Sequence, residues 1–222
     1  MGIISVEQAD RLFWLGRYTE RVYTTLKMFS RSFDSLIDGI ADSYIDFCKS
    51  IDIPNIYADR EDFIKRYPFD ADNPDSIISN LNRAYDNAIC LRESIGSECL
   101  CFIQLAIYEM NKAAKSSAPM IELQKVNDNL LAFYGIADDQ IDSENIRNII
   151  KAGKRIERID MYARLGVDKK ELEREIGRMI PRVQKSGLDY DVERFEKITV
   201  IMEPEIINYY SLVNEVEGII SA

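Results

Sequence analysis

The sequence predicts an all-α protein, a helical bundle of long antiparallel helices folded as a single domain over residues 1–222. Three observations favour this fold. Apolar residues recur at steps of three and four along several long segments, which is the period of an amphipathic helix. No segment alternates apolar and polar residues between hairpin turns, so nothing indicates a sheet. With 46% hydrophobic residues, a chain of 222 residues can bury a substantial core.

The first predicted helix is the most regular element and spans residues 5–40. Ser5 is its expected N-cap, because Gln8 follows at the three-residue spacing of a capping box. Its apolar stripe is uninterrupted, as expected for the buried seam of a long bundle helix. The stripe comprises Leu12, Leu15, Thr19, Val22, Leu26, Phe29, Phe33, Leu36 and Ile40.

The rest of the chain divides into shorter helices separated by proline, glycine and capping residues. An irregular segment, 41–73, leads to a helix that begins with Asn73 as N-cap and Pro74 at its first position. We expect this helix to be interrupted or kinked at Gly96. The other predicted boundaries are a start at Pro119, a C-cap at Gly135, a start at Ser143, and breaks near Pro181 and Pro204.

Charge and composition argue against several classes of function. The formal charge of −10 opposes binding to nucleic acid backbones and to anionic membranes, so we expect neither partner. Histidine is absent, which removes Ser-His and Cys-His catalysis together with histidine metal sites. The chain has no glycine-rich phosphate loop of the GxGxxG or GxxxxGKS/T type. We therefore expect no cofactor and no metal.

The cysteines indicate a reducing compartment. Cys48, Cys90, Cys99 and Cys101 lie in apolar helical segments without CxxC spacing, so we interpret them as reduced core residues. The N-terminus lacks a basic region followed by an apolar run, and no stretch approaches the ~20 apolar residues of a membrane span. These features predict a cytoplasmic protein.

One charged heptapeptide occurs twice. GRYTERV occupies residues 16–22 and GKRIERI occupies residues 153–159. The surrounding apolar stripe repeats in the same helical phase, which favours an approximate internal duplication of the Glu-Arg helix. Glycine inside a helix costs about 1 kcal/mol relative to alanine and usually has a packing reason. Gly16 and Gly153 therefore indicate close contact with another element.

The charges of the heptapeptides allow two interpretations. Helical charges are most often solvated, and adjacent residues such as Glu20 and Arg21 do not face each other on a helix. Alternatively, the aromatic side chains of Phe13 and Trp14 indicate that this face is also covered. Buried charges need partners, and a reciprocal arrangement between the two helices supplies them. The expected pairs are Glu20 with Arg158 and Glu157 with Arg21.

Three segments resemble the bacterial alpha-E family, helical proteins named after a repeated Glu-Arg motif. RLFWLGRYTERVYTTLKMF is similar to the N-terminal signature of the family, FDADNPDSIISNLNRAYDNAICLRESIGSE to its middle segment, and GKRIERIDMYARL to its second Glu-Arg helix. The resemblance covers most of residues 1–165. It implies a polar centre made of Arg17, Glu20, Arg21, Asn87, Arg92, Glu98, Glu157 and Arg158.

Two positions depart from the family pattern. Lys154 stands where arginine is more usual, and the segment ECLCF lacks the tryptophan that usually follows the glutamate. In the middle segment, Asn87, Arg92 and Glu98 lie among apolar residues, which indicates a covered helix. Their polar groups then need partners, either in a hydrogen-bond network between helices or in a ligand site.

The family resemblance implies an association with ATP-grasp-type ligases and transglutaminase-like proteases. We therefore expect a helical accessory or binding protein that acts with such an enzyme in peptide or amide synthesis or modification. The chain also lacks histidine, nucleotide loops and a recognisable pair of nucleophile and base, which agrees with a non-catalytic role.

The sequence leaves two alternatives open. The chain could itself be a Glu/Arg-based enzyme acting on a carboxylate- or phosphate-bearing peptide-like substrate. Glu20 or Glu157 would then serve as general base, and Arg21, Arg92 and Arg158 would hold the anion. The other alternative is a purely structural homo-oligomer. Its interface would be an apolar stripe on the C-terminal helices, around Ile206, Tyr209, Tyr210 and Val213.

Overall fold

The computed structural model describes residues 4–37 and 43–220. Within these ranges the chain is all-α, and its only β interaction is an isolated bridge between Tyr190 and Ile220. The prediction of an all-α fold is confirmed, and the long helices pack in antiparallel contacts. The described helices are α1 Val6–Ile37, α2 Ser43–Ser50, α3 Arg60–Arg66, α4 Ile77–Cys90, α5 Arg92–Ala113, α6 Pro119–Gln140, α7 Glu144–Arg164, α8 Lys169–Gln184, α9 Val192–Met202 and α10 Tyr209–Glu217.

Helix α1 is central and packs against α4, α6 and α7. Its predicted start is confirmed, because the Ser5 hydroxyl accepts the backbone N–H of Gln8 at 3.1 Å. The predicted stripe is buried from Leu12 to Phe29. The predicted helix end at Ile40 and the side chain of Leu36 lie outside the described residues.

The apolar core consists of two clusters, and α1 contributes to both. Leu12 and Leu15 of α1 belong to the first cluster, with residues from α4 to α10. Val22, Leu26 and Phe29 belong to the second, with the aromatic residues of α2 and α3. The charged heptapeptide of α1 therefore lies where the two clusters meet.

Several helix boundaries differ from the sequence prediction. The N-cap of α4 is Ser76, whose hydroxyl accepts the N–H of Ser79 at 3.2 Å. Asn73 instead forms a turn, since its side chain accepts the N–H of Asp75 at 3.0 Å. Gly135 lies inside α6 and does not cap it. Helix α8 continues through Pro181 for a further three residues, to Gln184.

Other predicted features agree with the structure. Ser143 caps α7 by accepting the N–H of Ile146 at 3.4 Å. Gly96 has a left-handed φ of 83° and kinks α5. Helix α9 ends at Met202, before Pro204. None of the described helices combines the length and apolar content needed to span a membrane.

The four cysteines are free, but they do not share one environment. Cys48 and Cys99 are buried, one in each apolar cluster. Cys90 and Cys101 are exposed, so the prediction that all four belong to the core is wrong for these two. The apolar segments of α4 and α5 are amphipathic, and these two thiols lie on the outward faces.

Candidate functional site

Helices α1 and α7 approach each other closely at two glycines. A Cβ atom at Gly16 would overlap the carbonyl oxygen of Ile150, and one at Gly153 would overlap the carbonyl oxygen of Phe13. The two contacts are reciprocal, because each glycine meets the carbonyl three residues before the other glycine. Any side chain at either position would force the helices apart. The packing role predicted for both glycines is confirmed.

The Glu-Arg dipeptide of α1, Glu20-Arg21, forms reciprocal ion pairs across this contact with that of α7, Glu157-Arg158. Arg158 donates from Nε and Nη2 to the two oxygens of Glu20, at 2.6 and 3.0 Å. Arg21 donates from Nε to Oε1 of Glu157. Both glutamates have no solvent-exposed surface. The predicted reciprocal pairs are therefore confirmed, and the alternative of a solvated charged face is wrong for these carboxylates.

Further donors complete the coordination of each glutamate. Arg17 donates from Nε to Oε2 of Glu157 at 2.7 Å, so each oxygen of this carboxylate has its own arginine. The hydroxyl of Thr24 donates to Oε1 of Glu20 at 2.9 Å. Burial opposes ionisation of Glu157, but the attraction of Arg17 and Arg21 outweighs it and lowers its pKa below the ordinary value. Glu157 is thus held as a carboxylate.

Two buried acids that sequence reasoning missed extend the charged centre. Asp160 accepts from Nε of Arg164 at 2.6 Å and from Nη2 of Arg17 at 3.4 Å. Burial, with the nearby charge of Glu157, raises the pKa of Asp160 to about 6. The available signal was its position, three residues after Glu157 and thus on the same helical face.

The second missed acid is Glu175 of α8, which is 1% exposed. It accepts from Nη1 of Arg178 at 2.8 Å and also pairs with Arg155. Arg158 approaches it at 3.8 Å, which links α8 to the Glu20 pair. Its place beside Ile176 in the apolar stripe of α8 was the sequence signal for burial.

Lys154 does not repeat the role of Arg17, its counterpart in the first heptapeptide. Arg17 binds Glu157 and stacks over the Trp14 ring at 5.0 Å. The ammonium of Lys154 instead lies 3.2 Å from the centroid of the Tyr134 ring. Burial lowers the pKa of Lys154 to about 7, against the attraction of Glu20. The two halves of the centre therefore differ at this position.

The structure does not bring the middle residues into the charged centre. Asn87 is half-buried and accepts from Arg11 at 3.5 Å. Arg92 is exposed and donates to the hydroxyl of Ser97 at 3.1 Å. Glu98 is exposed and accepts from Gln140. The expectation of a covered helix is wrong for Arg92 and Glu98, because the first turns of α5 around the Gly96 kink turn these side chains outward.

A cleft of about 190 Å³ opens beside the charged centre. Arg21 and Asp160 line it, but Glu20 and Glu157 do not. Each of the two glutamates is enclosed by its hydrogen-bond donors, so neither reaches a substrate as a general base. The described residues contain no group of three or more acidic or cysteine side chains suited to a metal ion. The lining residues of the cleft are Arg21, Val22, Thr25, Ile51, Asp52, Ile53, Tyr67, Asp75, Ile77, Asn80, Asp160, Met161 and Arg164.

Comparison with known proteins gives one informative result. No curated protein and no solved structure matches the chain. A family model does match, over residues 7–188, and its family is described as a predicted alpha-helical domain with a conserved ER motif. Both Glu-Arg steps, paired across α1 and α7, fall within the matched range. The chain therefore belongs to the Alpha-E family.

Proposed function

We propose that this protein is a non-catalytic helical accessory protein that binds an ATP-grasp-type ligase or a transglutaminase-like protease. The observation that carries the proposal is the state of the two motif glutamates. Both are fully buried, and arginines or a hydroxyl occupy their oxygens. Carboxylates held in this way stabilise a scaffold and are not positioned for proton transfer.

The class of partner comes from the family resemblance. The composition supports a cytoplasmic location and a protein partner. An ATP-grasp-type ligase would supply the nucleotide chemistry for which this chain has no phosphate loop. The joint role would be synthesis or modification of peptides or amides. Free cysteines agree with a cytoplasmic location, and the charge of −10 disfavours nucleic acid and anionic membranes as partners.

An approximate internal duplication of the Glu-Arg helix fits the same scaffold. The reciprocal glycine contacts and the reciprocal ion pairs support it. A scaffold built on two related helices presents a rigid surface, which limits the ordering cost of binding a partner.

The direct test is recovery of the partner from native lysate. The tagged chain is used as bait, and an unrelated helical protein of similar size and net charge serves as the control for capture by charge alone. We expect mass spectrometry to identify an ATP-grasp-type ligase or a transglutaminase-like protease with the bait only. Absence of both enzymes from the bait sample, with the bait shown to be folded, would overturn the proposal.

One observation favours a homo-oligomer as a second candidate. Ile206 and Tyr210 are 88% and 87% exposed, whereas Tyr209 and Val213 pack partly against the first apolar cluster. Two of the four residues of the predicted stripe, Ile206 and Tyr210, are thus exposed and could contact a second copy of the chain. Light scattering after size-exclusion chromatography measures the mass. An oligomer should dissociate in an Ile206→Ser/Tyr210→Ser variant, and a monomeric wild-type chain at high concentration would exclude this candidate.

A further inference from the structure

The cleft beside the charged centre has the size of a site for a small molecule. It lies between α1, α7, the start of α4 and the segment that joins α2 to α3, and Tyr67 lines it directly after α3. Pockets for drug-sized ligands typically measure about 300–1,000 Å³. A volume of about 190 Å³ is smaller and suits a ligand of a few non-hydrogen atoms.

One wall of the cleft offers an arginine edge with unused donors. Arg21 is held at Nε by Glu157, but its two Nη atoms make no hydrogen bond to any residue in the described ranges. Its side chain is 33% exposed. The neighbouring Arg164 differs, because Asp160, Asp52 and Glu217 occupy its three nitrogens. Arg21 is therefore the cation on this wall that can receive a carboxylate.

The cleft also contains a carboxylate without a cation. Asp75 lines it, and within 4–37 and 43–220 its side chain has neither an ion pair nor a hydrogen bond. Most other acids around the centre are paired, as Asp160 is with Arg164. A ligand that reaches both Arg21 and Asp75 therefore needs an anionic and a cationic group.

Tyr67 lies close to both of these charges. The residue is 1% exposed and lines the cleft, and its hydroxyl has no hydrogen-bond partner in the described part of the chain. Burial raises the pKa of Tyr67 well above its ordinary value, and both Asp75 and Arg21 are close enough to influence it. The hydroxyl therefore stays protonated and is available as a donor. Its oxygen is not among the fully buried side-chain atoms that lack a partner in the described residues, so it is accessible from the cleft and can donate to a ligand there.

The remaining lining is mixed. Its polar members are Thr25, Asp52, Asn80, Asp160 and Arg164, and both aspartates pair with Arg164. Five apolar residues provide a surface for a small hydrocarbon side chain. The apolar lining residues are Val22, Ile51, Ile53, Ile77 and Met161.

We propose that this cleft binds a free α-amino acid with a small apolar side chain, its carboxylate on Arg21 and Tyr67 and its ammonium on Asp75. The inference goes beyond the accessory role and does not depend on it. Binding of an amino acid is measured on the purified chain alone, whereas the accessory role is tested by recovery of a partner enzyme. Either result can fail without the other.

Isothermal titration calorimetry with L-valine tests the proposal. Two matched probes each lack one charge: N-acetyl-L-valine has no cation, and L-valinamide has no carboxylate. We expect L-valine to bind the wild-type chain at least about tenfold more tightly than either probe, because a charge-assisted hydrogen bond contributes about a factor of ten or more. Asp75→Asn and Tyr67→Phe should both weaken L-valine binding.

Control variants separate a ligand contact from a general loss of structure. Asp139→Asn removes an exposed carboxylate on α6, outside the cleft, and should leave L-valine binding unchanged. Thermal unfolding of each variant verifies that it is folded. The proposal is overturned if folded wild-type protein does not bind L-valine at 10 mM, on the order of the weakest ordinary affinities. Equal binding of N-acetyl-L-valine, or unchanged L-valine binding by folded Asp75→Asn protein, would also overturn it.

Discussion

At the scale of single residues, the stability of this fold depends on complete pairing of buried charges. Removing a carboxylate from water costs several kcal/mol, and an arginine pair offsets that cost only with good geometry. Glu20 and Glu157 meet this condition, because each is fully buried and each oxygen has a donor. Loss of one partner would leave the opposite charge buried and unpaired.

Glu20→Gln should therefore destabilise the protein by about 3–5 kcal/mol, because Arg158 keeps its charge but loses its carboxylate. Urea denaturation measures the change in the free energy of unfolding. Glu7→Gln is the matched control, since Glu7 is 77% exposed and its pair with Arg11 is a surface pair worth about 0–1 kcal/mol. Equal midpoints for the two variants would contradict a structural role for the Glu20 pair.

Lys154 should make stability depend on pH above neutrality. Burial lowers its folded-state pKa to about 7, whereas the unfolded chain keeps the ordinary value of about 10.4. Between these values the unfolded state binds more protons, so this residue makes stability rise with pH, by at most about 1.4 kcal/mol per pH unit. Below pH 7 both states are protonated and the contribution is constant.

Comparison of wild-type protein with Lys154→Met isolates this effect from other titrating groups. The difference in unfolding free energy between the two proteins should change between pH 7 and about 10.4. Lys170→Met, at an exposed position of α8, should show the same pH dependence as wild type. Parallel pH profiles for the wild-type and Lys154→Met proteins would show that Lys154 stays charged when the protein is folded.

At the scale of helices, the contact between α1 and α7 sets the geometry of the charged centre. Gly16 and Gly153 allow backbone to meet backbone, and this proximity brings the side chains one helical turn further on into pairing distance. Glycine lowers the intrinsic stability of a helix relative to alanine. At these two positions that loss accompanies the close tertiary contact that only glycine permits.

Gly16→Ala should destabilise the protein by about 1–3 kcal/mol or more, because the new methyl group overlaps the backbone of Ile150. Gly135→Ala is the matched control inside α6, where an added Cβ meets nothing within 4 Å. That change should stabilise the protein by about 0.4–1 kcal/mol. Opposite signs in urea denaturation are expected. Stabilisation by Gly16→Ala would contradict the prediction, because it would mean that α1 and α7 can move apart without a loss of folding free energy.

At the scale of the whole molecule, α1, α4, α5 and α6 each contribute residues to both apolar clusters. The charged centre lies between them, and its pairs are formed by α1 and α7. Helices shared by both clusters couple their unfolding, which favours one cooperative unit. The single domain over residues 1–222 stays a prediction.

The buried thiols test this coupling, because Cys99 lies in the first cluster and Cys48 in the second. Burial raises the pKa of each to about 11, so both should resist alkylation in native protein. A Cys90→Ser/Cys101→Ser variant removes the two exposed thiols. Mass spectrometry should then show labelling of both remaining cysteines at one urea midpoint. Earlier labelling of one of them would indicate two separately folding units.

Sequence patterns predicted those structural features whose physical cause lies within a few residues or in the repeated motif. The period of α1 and the caps at Ser5 and Ser143 depend on residues within one or two turns. Even the long-range pairing of Glu20 with Arg158 was predictable, because the two heptapeptides present equivalent charges in the same helical phase.

Other features depended on neighbours that are distant in sequence. Gly135 and Pro181 are local helix-breaking signals, yet packing carries α6 and α8 through them. The outward position of Arg92 follows from how α5 packs around its kink. The cleft joins Arg21 and Asp75, which no sequence pattern relates.

Local periodicity and capping thus predicted the all-α fold and several helix ends, and the repeated motif predicted which charges pair if the motif is buried. Only the tertiary structure decided which polar groups remain unpaired and where they meet. The physical reason is that helix formation depends on contacts within a few residues, whereas burial and the space between helices depend on the packing of all the elements at once.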